Sequence, residues 1–234
     1  MSIIKSNTIL SDLVQRRISL LPMLKRFGIR LGLGDATIER ICMEHQIDPD
    51  FFLHILNSYL DPAYLGRVRL VPRHTVLIAD YLEVTNRDYL EAQIPNIEVH
   101  ISSFIKRSLG GNPLLETLLP VVAELRSTIG ERIRTDEEEL LPRFRHLAQQ
   151  LGEEISNITL EHRAGRDSEV DRAEALVIDV MQVLIRHIRG DFNDNLLHGV
   201  LYSLSLLQSD LRSNNRLRQR IFVPMMAAME AELK

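Results

Sequence analysis

The chain has 234 residues, 45% of them hydrophobic and 26% charged, a formal net charge of -4 and one cysteine. That balance fits a well-cored globular protein and excludes an internal disulfide framework, a thiolate metal cluster and the basic footprint usual in nucleic-acid-binding domains. It carries no uncharged apolar run of about 18 residues and no basic segment leading into an apolar one, so the sequence predicts a cytoplasmic protein with no membrane partner and no leader, for which nucleic acid is not the expected partner.

Short helical units are predicted over Ile9–Arg17, Leu20–Phe27, Thr37–Glu44 and Pro49–Tyr59, broken at Gly28, at the G-L-G-D turn from Gly32 to Asp35, and at Asp48-Pro49. Asp48 suits the cap of the helix that follows and Pro49 its first turn. Residues 1–60 thus read as a small N-terminal helical domain. The run D-P-A-Y-L-G-R-V-R-L-V-P over residues 61–72 has proline near both ends and glycine inside, the composition of a linker. Beyond it, helical periodicity covers about His74–Gln93, Asn96–Ser108, Pro113–Gln150, Gly152–Arg189 and Asn195–Leu233. The first two merge across Pro95, which is expected to kink or divide them. Short turns at Gly110-Gly111, Leu151-Gly152 and Gly190–Asn193 then join four principal helices. Strand signals are nearly absent, with 5% aromatic residues and no sustained alternation. The expected fold class is all-α, with residues 73–234 forming an up-down four-helix bundle.

One stretch interrupts the apolar pattern: E-R-I-R-T-D-E-E-E-L-L-P, from Glu131 to Pro142. Leu118, Val122, Leu125 and Ile129 recur at helical spacing, and the same steps continue onto Arg132, Asp136 and Leu140. Charges on a buried stripe must pair, bind something or lie off the seam. Glu137–Glu139 read as a solvated acidic edge. Other stripes also carry polar groups. His162 follows Ile155 and Ile158, while Asn214 and Arg218 lie between Leu211 and Ile221. Either His100 or Ile101 joins Ile97 and Phe104. Taken singly, an inward histidine is more often a satisfied core residue than a ligand. The basic run Arg212–Arg220 lacks interleaved aromatic residues and reads as the polar side of an amphipathic helix. No nucleophile elbow, phosphate loop or zinc-ligand spacing is present, so catalysis is not expected.

The order of parts resembles the RIC proteins (repair of iron centres), in which a small ScdA-type domain precedes a hemerythrin-like four-helix bundle with a di-iron site. The resemblance spans nearly the whole chain. It rests on I-L-S-D-L-V at Ile9–Val14, R-F-G-I at Arg26–Ile29, H-Q-I-D-P-D at His45–Asp50, E-V-H at Glu98–His100 and L-E-H at Leu160–His162. The family's H-x-x-x-E-E-x-x-x-F/L-P motif falls on Arg132–Pro142, and its second such motif on Asn214–Pro224. The resemblance therefore puts Arg132 and Asn214 where histidine ligands would stand, with Asp136 and Arg218 where glutamates would. The family's Cys-Cys-Gly-Gly type segment is Leu31-Gly32-Leu33-Gly34 here, so its thiol chemistry does not carry over.

A guanidinium has no lone pair to donate and keeps its charge, so two arginines at these positions imply that the usual di-iron centre cannot form. Arg132 and Arg218 would then supply the positive charge, neutralised by Asp136 and Glu161 through paired hydrogen bonds. These substitutions imply a metal-free, non-catalytic regulatory or protein-interaction module linked to iron or nitrosative and oxidative stress. Its expected partners are a second copy of itself or a metal-bearing relative. The alternative is an iron-binding protein of iron-sulfur cluster repair, with a remodelled site of His100, Asp136, Glu161 and His162.

Overall fold

The computed structural model describes residues 3–64, 72–108, 115, 117–152 and 171–234, with the side chains of 72 and 73 left aside. Among them the regular structure is all helical, with one isolated antiparallel bridge between Ile9 and Thr37 and no strand. The helices are α1 (Leu10–Arg16), α2 (Leu21–Arg26), α3 (Ile38–Glu44), α4 (Pro49–Leu60), α5 (Pro72–Asp88), α6 (Ile94–Arg107), α7 (Leu118–Thr135), α8 (Leu141–Leu151), α9 (Arg172–Arg186), α10 (Asp194–Leu217) and α11 (Val223–Glu232). Most of the expected linker, residues 65–71, lies outside the described residues, as do 153–170 with Ile155, Ile158, Leu160, Glu161 and His162.

The chain divides into two compact units. Unit 1 comprises Met1–Val84, Leu141–Ser168 and Ser213–Lys234; unit 2 comprises Thr85–Leu140 and Glu169–Arg212.

In unit 1, α4 is capped at its start and buries one face. Asp48 caps it by accepting the Phe51 N–H at 2.9 Å, and Pro49 stands in the first turn, where a missing N–H costs nothing. Phe51, Phe52, Ile55 and Leu56 form its buried face. Asn57 ties the N-terminal segment to that helix, accepting the Ile4 N–H at 2.8 Å and donating to the Ile4 carbonyl at 3.1 Å. The Tyr59 hydroxyl meets the Arg26 guanidinium and the Tyr81 hydroxyl, each at 2.9 Å. Phe27 packs edge-on against Phe52 at 5.0 Å, and Phe144 stacks on Phe222 at 4.5 Å. After α2 the backbone reverses at Gly28, whose φ of 71° is a left-handed conformation that side chains resist.

Unit 2 has an aliphatic core. Ile94, Ile97, Ile101 and Phe104 of α6 pack with Leu118, Val122, Leu125, Ile129 and Ile133 of α7, Val177 and Val180 of α9, and Leu204, Leu207 and Leu211 of α10.

Among the described residues three wide π turns interrupt otherwise continuous helical paths, at Tyr89–Gln93, Asp136–Leu140 and Arg218–Phe222. Each ends two residues before a proline: Pro95, Pro142 and Pro224. Proline lacks an N–H and its ring crowds the carbonyl four residues back, so one extra residue in the preceding turn relieves both problems. In the first and third turns the closing N–H, from Ile94 and Val223, reaches back five residues to the carbonyls of Tyr89 and Arg218. Pro95 therefore neither breaks the helical path nor stands alone. The extra residue also moves the buried stripe: after Asp136 the next buried position is Leu141, in place of the expected Leu140, which is half-buried.

Candidate functional site

The interior around the second π turn in unit 2 holds the charges that the sequence singled out. Asp136 starts that turn and is 1% exposed, and its Oδ2 accepts from the Asn86 amide at 3.3 Å. Arg132, one turn earlier, is part-buried. Its guanidinium carbon stands 5.7 Å from the centre of the Tyr89 ring, a cation–π distance, and its Nη1 donates to Asp171 Oδ2 at 3.0 Å. Arg132 thus meets a carboxylate, as a guanidinium in the interior must, but that carboxylate is one the periodicity did not single out.

Asp171 has a second task. Its other oxygen accepts the Glu174 N–H at 2.7 Å and so caps α9. Glu174, itself buried, receives Arg212 of α10, the closer nitrogen at 2.5 Å. Arg172 pairs with Glu124 of α7 as well. The start of α9 is therefore a charged knot through which α7, α9 and α10 are joined, and Arg132 is part of it. At the first π turn, Gln93 Nε2 donates to Asp88 Oδ2 at 2.8 Å and to Asp210 Oδ2 at 3.1 Å, bringing two further buried carboxylates to one amide.

His100 lies beside the buried seam of α6, and Ile101 occupies the seam. Asn214 is fully buried and makes no hydrogen bond through its amide among the described residues; with half-buried Arg218 it belongs to unit 1. Glu137–Glu139 are exposed, the solvated edge that was expected. His162 and Glu161 lie outside the described residues.

The three π turns expose a register that the sequence reading missed. Thr85, Tyr89 and Pro95 share one spacing with Arg132, Asp136 and Pro142 and with Asn214, Arg218 and Pro224. Thr85 and Tyr89 are the first-helix counterparts of the charged positions, and both are fully buried. The repeated proline was the signal that could have found them.

A di-iron centre takes several imidazoles and carboxylates. Among the described residues that the sequence resemblance would assign to ligands, Asp136 and His100 carry lone pairs for a metal; Arg132 and Arg218 offer hydrogen-bond donors without a lone pair, and Asn214 an uncharged amide. That donor set does not fit two irons. Among the described residues no three His, Cys, Asp or Glu side chains stand close enough to hold a metal ion. No helix there is long and apolar enough to cross a membrane. No protein-family model, curated protein or solved structure matches the chain.

Proposed function

We propose that this chain is a hemerythrin-like, RIC-like four-helix protein that has exchanged its metal ligands for an internal charge network and works by protein contacts. Its partner is a second copy of itself or a metal-bearing relative, in iron or nitrosative and oxidative stress. The observation that carries this reading is Arg132. At a position that the resemblance gives to a histidine ligand, a guanidinium is spent on the Tyr89 face and on the Asp171 cap of α9. An arginine so engaged does the holding that a metal would otherwise do and supplies no redox chemistry.

The test is metal analysis of the chain purified from iron-replete cells and again after anaerobic loading with ferrous iron. The expected result is iron far below one per chain in both. Near-stoichiometric iron with an oxo-bridge absorption band would overturn the reading in favour of a remodelled site using His100, Asp136, Glu161 and His162. Mixing with a metal-bearing relative, followed by sizing of the complex, tests the contact function.

A further inference from the structure

Unit 1 contains a cluster of titratable side chains that the proposed function does not use. His54 of α4 and His74 of α5 meet edge to face, their ring centres 5.2 Å apart. His54 Nδ1 is 2.8 Å from the Tyr64 hydroxyl, on the turn that follows α4. His74 is 2% exposed, with its Nε2 3.6 Å from Asp48 Oδ1, the same oxygen that caps α4. Phe51 packs on the His74 ring at 5.8 Å.

We propose that the His54–His74 pair is a proton-operated joint between α4 and α5: closed while both rings are neutral, loosened when one proton enters. Three features of the geometry support this. A positive charge on either ring lies within about 5 Å of the other, so the second proton is strongly opposed. In the tautomer with hydrogen on Nε2, His54 Nδ1 accepts the Tyr64 hydroxyl; a proton on Nδ1 turns that acceptor into a donor and reverses the bond. Asp48 is shared between the α4 cap and His74, so any movement towards a charged imidazole is taken from the helix start.

Burial favours the neutral state of His54 over the pull of the nearby carboxylates. Burial, and then the neighbouring His74, push the His54 pKa below its ordinary 6.5, while Asp50 and Asp48 pull the other way without prevailing. Tyr64 keeps its proton, its pKa raised by burial and by Asp50. Cys42 of α3 adds no negative charge, its thiol pushed up to about 11 by burial and by Asp48. Arg220 donates to the Pro62 carbonyl at 2.6 Å and adds positive charge to the turn bearing Tyr64. The sign follows. Folded His54 binds its proton at lower pH than the unfolded chain does, so its contribution to stability is complete above pH 6.5 and declines as pH falls through 6.5 towards the folded value.

The experiment is amide hydrogen exchange of the full chain between about pH 7.5 and 5.5, corrected for intrinsic rates, with the His54 ring titrated by NMR. Exchange over Phe51–Tyr64 and the first turns of α5 should quicken on acidification, by at most about tenfold per pH unit. Exchange in α7 should not follow it. The variant His54→Gln should flatten the response. Unchanged exchange in the parent chain, an equal response in His54→Gln, or a His54 midpoint at or above 6.5 would each overturn the joint. If His54→Gln does not fold, the two measurements on the parent chain decide.

Discussion

The two units bury polarity in different ways. Among the described residues the buried acids Asp88, Asp136, Glu174 and Asp210 all belong to unit 2, and the buried basic side chains Arg26, His74 and Arg216 all belong to unit 1. Unit 1 surrounds its polar groups with aromatic rings and joins many of them by bonds between uncharged partners, as in Asn57 to Ile4 and Tyr59 to Tyr81. Unit 2 sets carboxylates into an aliphatic core and answers them with guanidinium groups, amides and a helix cap. The first arrangement draws its stability mostly from packing. In the second, removing one partner leaves a charge with its desolvation cost unmet.

Mutations can break or sharpen that contrast. Phe52→Ala in unit 1 should have the largest effect, about 3–5 kcal/mol in denaturant unfolding, because it opens a cavity where the ring packs against Phe27. In unit 2, Asp171→Ala should cost about 1–3 kcal/mol, since both the α9 cap and the Arg132 bond are lost. Asp171→Asn separates the two contributions: it retains a capping oxygen but not the charge, and recovery of most of the loss would mean that the cap dominates. The smallest effect belongs to Glu98→Ala, which removes the half-exposed pair with Arg126 and should change stability by less than about 1 kcal/mol, with little further change in high salt. Were Glu98→Ala to cost as much as Asp171→Ala, the distinction between an internal knot and a surface pair would fail.

Local signals in the sequence predicted the local structure well. Asp48-Pro49 opens α4 as expected, and the stripe Leu118, Val122, Leu125, Ile129 is buried along α7. Periodicity could not find the partner of Arg132, because Asp171 lies 39 residues away and faces it only once the helices pack. It also misplaced Leu140 and left His100 and Ile101 undecided, for related reasons: neighbouring positions differ by about 100° around a helix, and one added residue in a turn shifts everything after it. The inward placement of Asp136 was legible because it opens the wide turn, before the extra residue shifts the stripe. The Gln93 bridge between Asp88 and Asp210 was not, since its two carboxylates are 122 positions apart in sequence.

The wide turns before Pro95, Pro142 and Pro224 have a meaning for how such a chain can change. Each acts as a phase absorber: the roughly 100° that one extra residue would add is taken up at one point, so the helix beyond keeps its buried face. Substitutions among Glu137, Glu138 and Glu139 alter solvated groups and leave that face untouched. Loss of a single residue there would let the turn close as ordinary α-helix and leave Leu141 and Phe144 on the buried seam. At these turns a change of one residue in length is absorbed locally, and the side chains beyond keep their inward and outward faces.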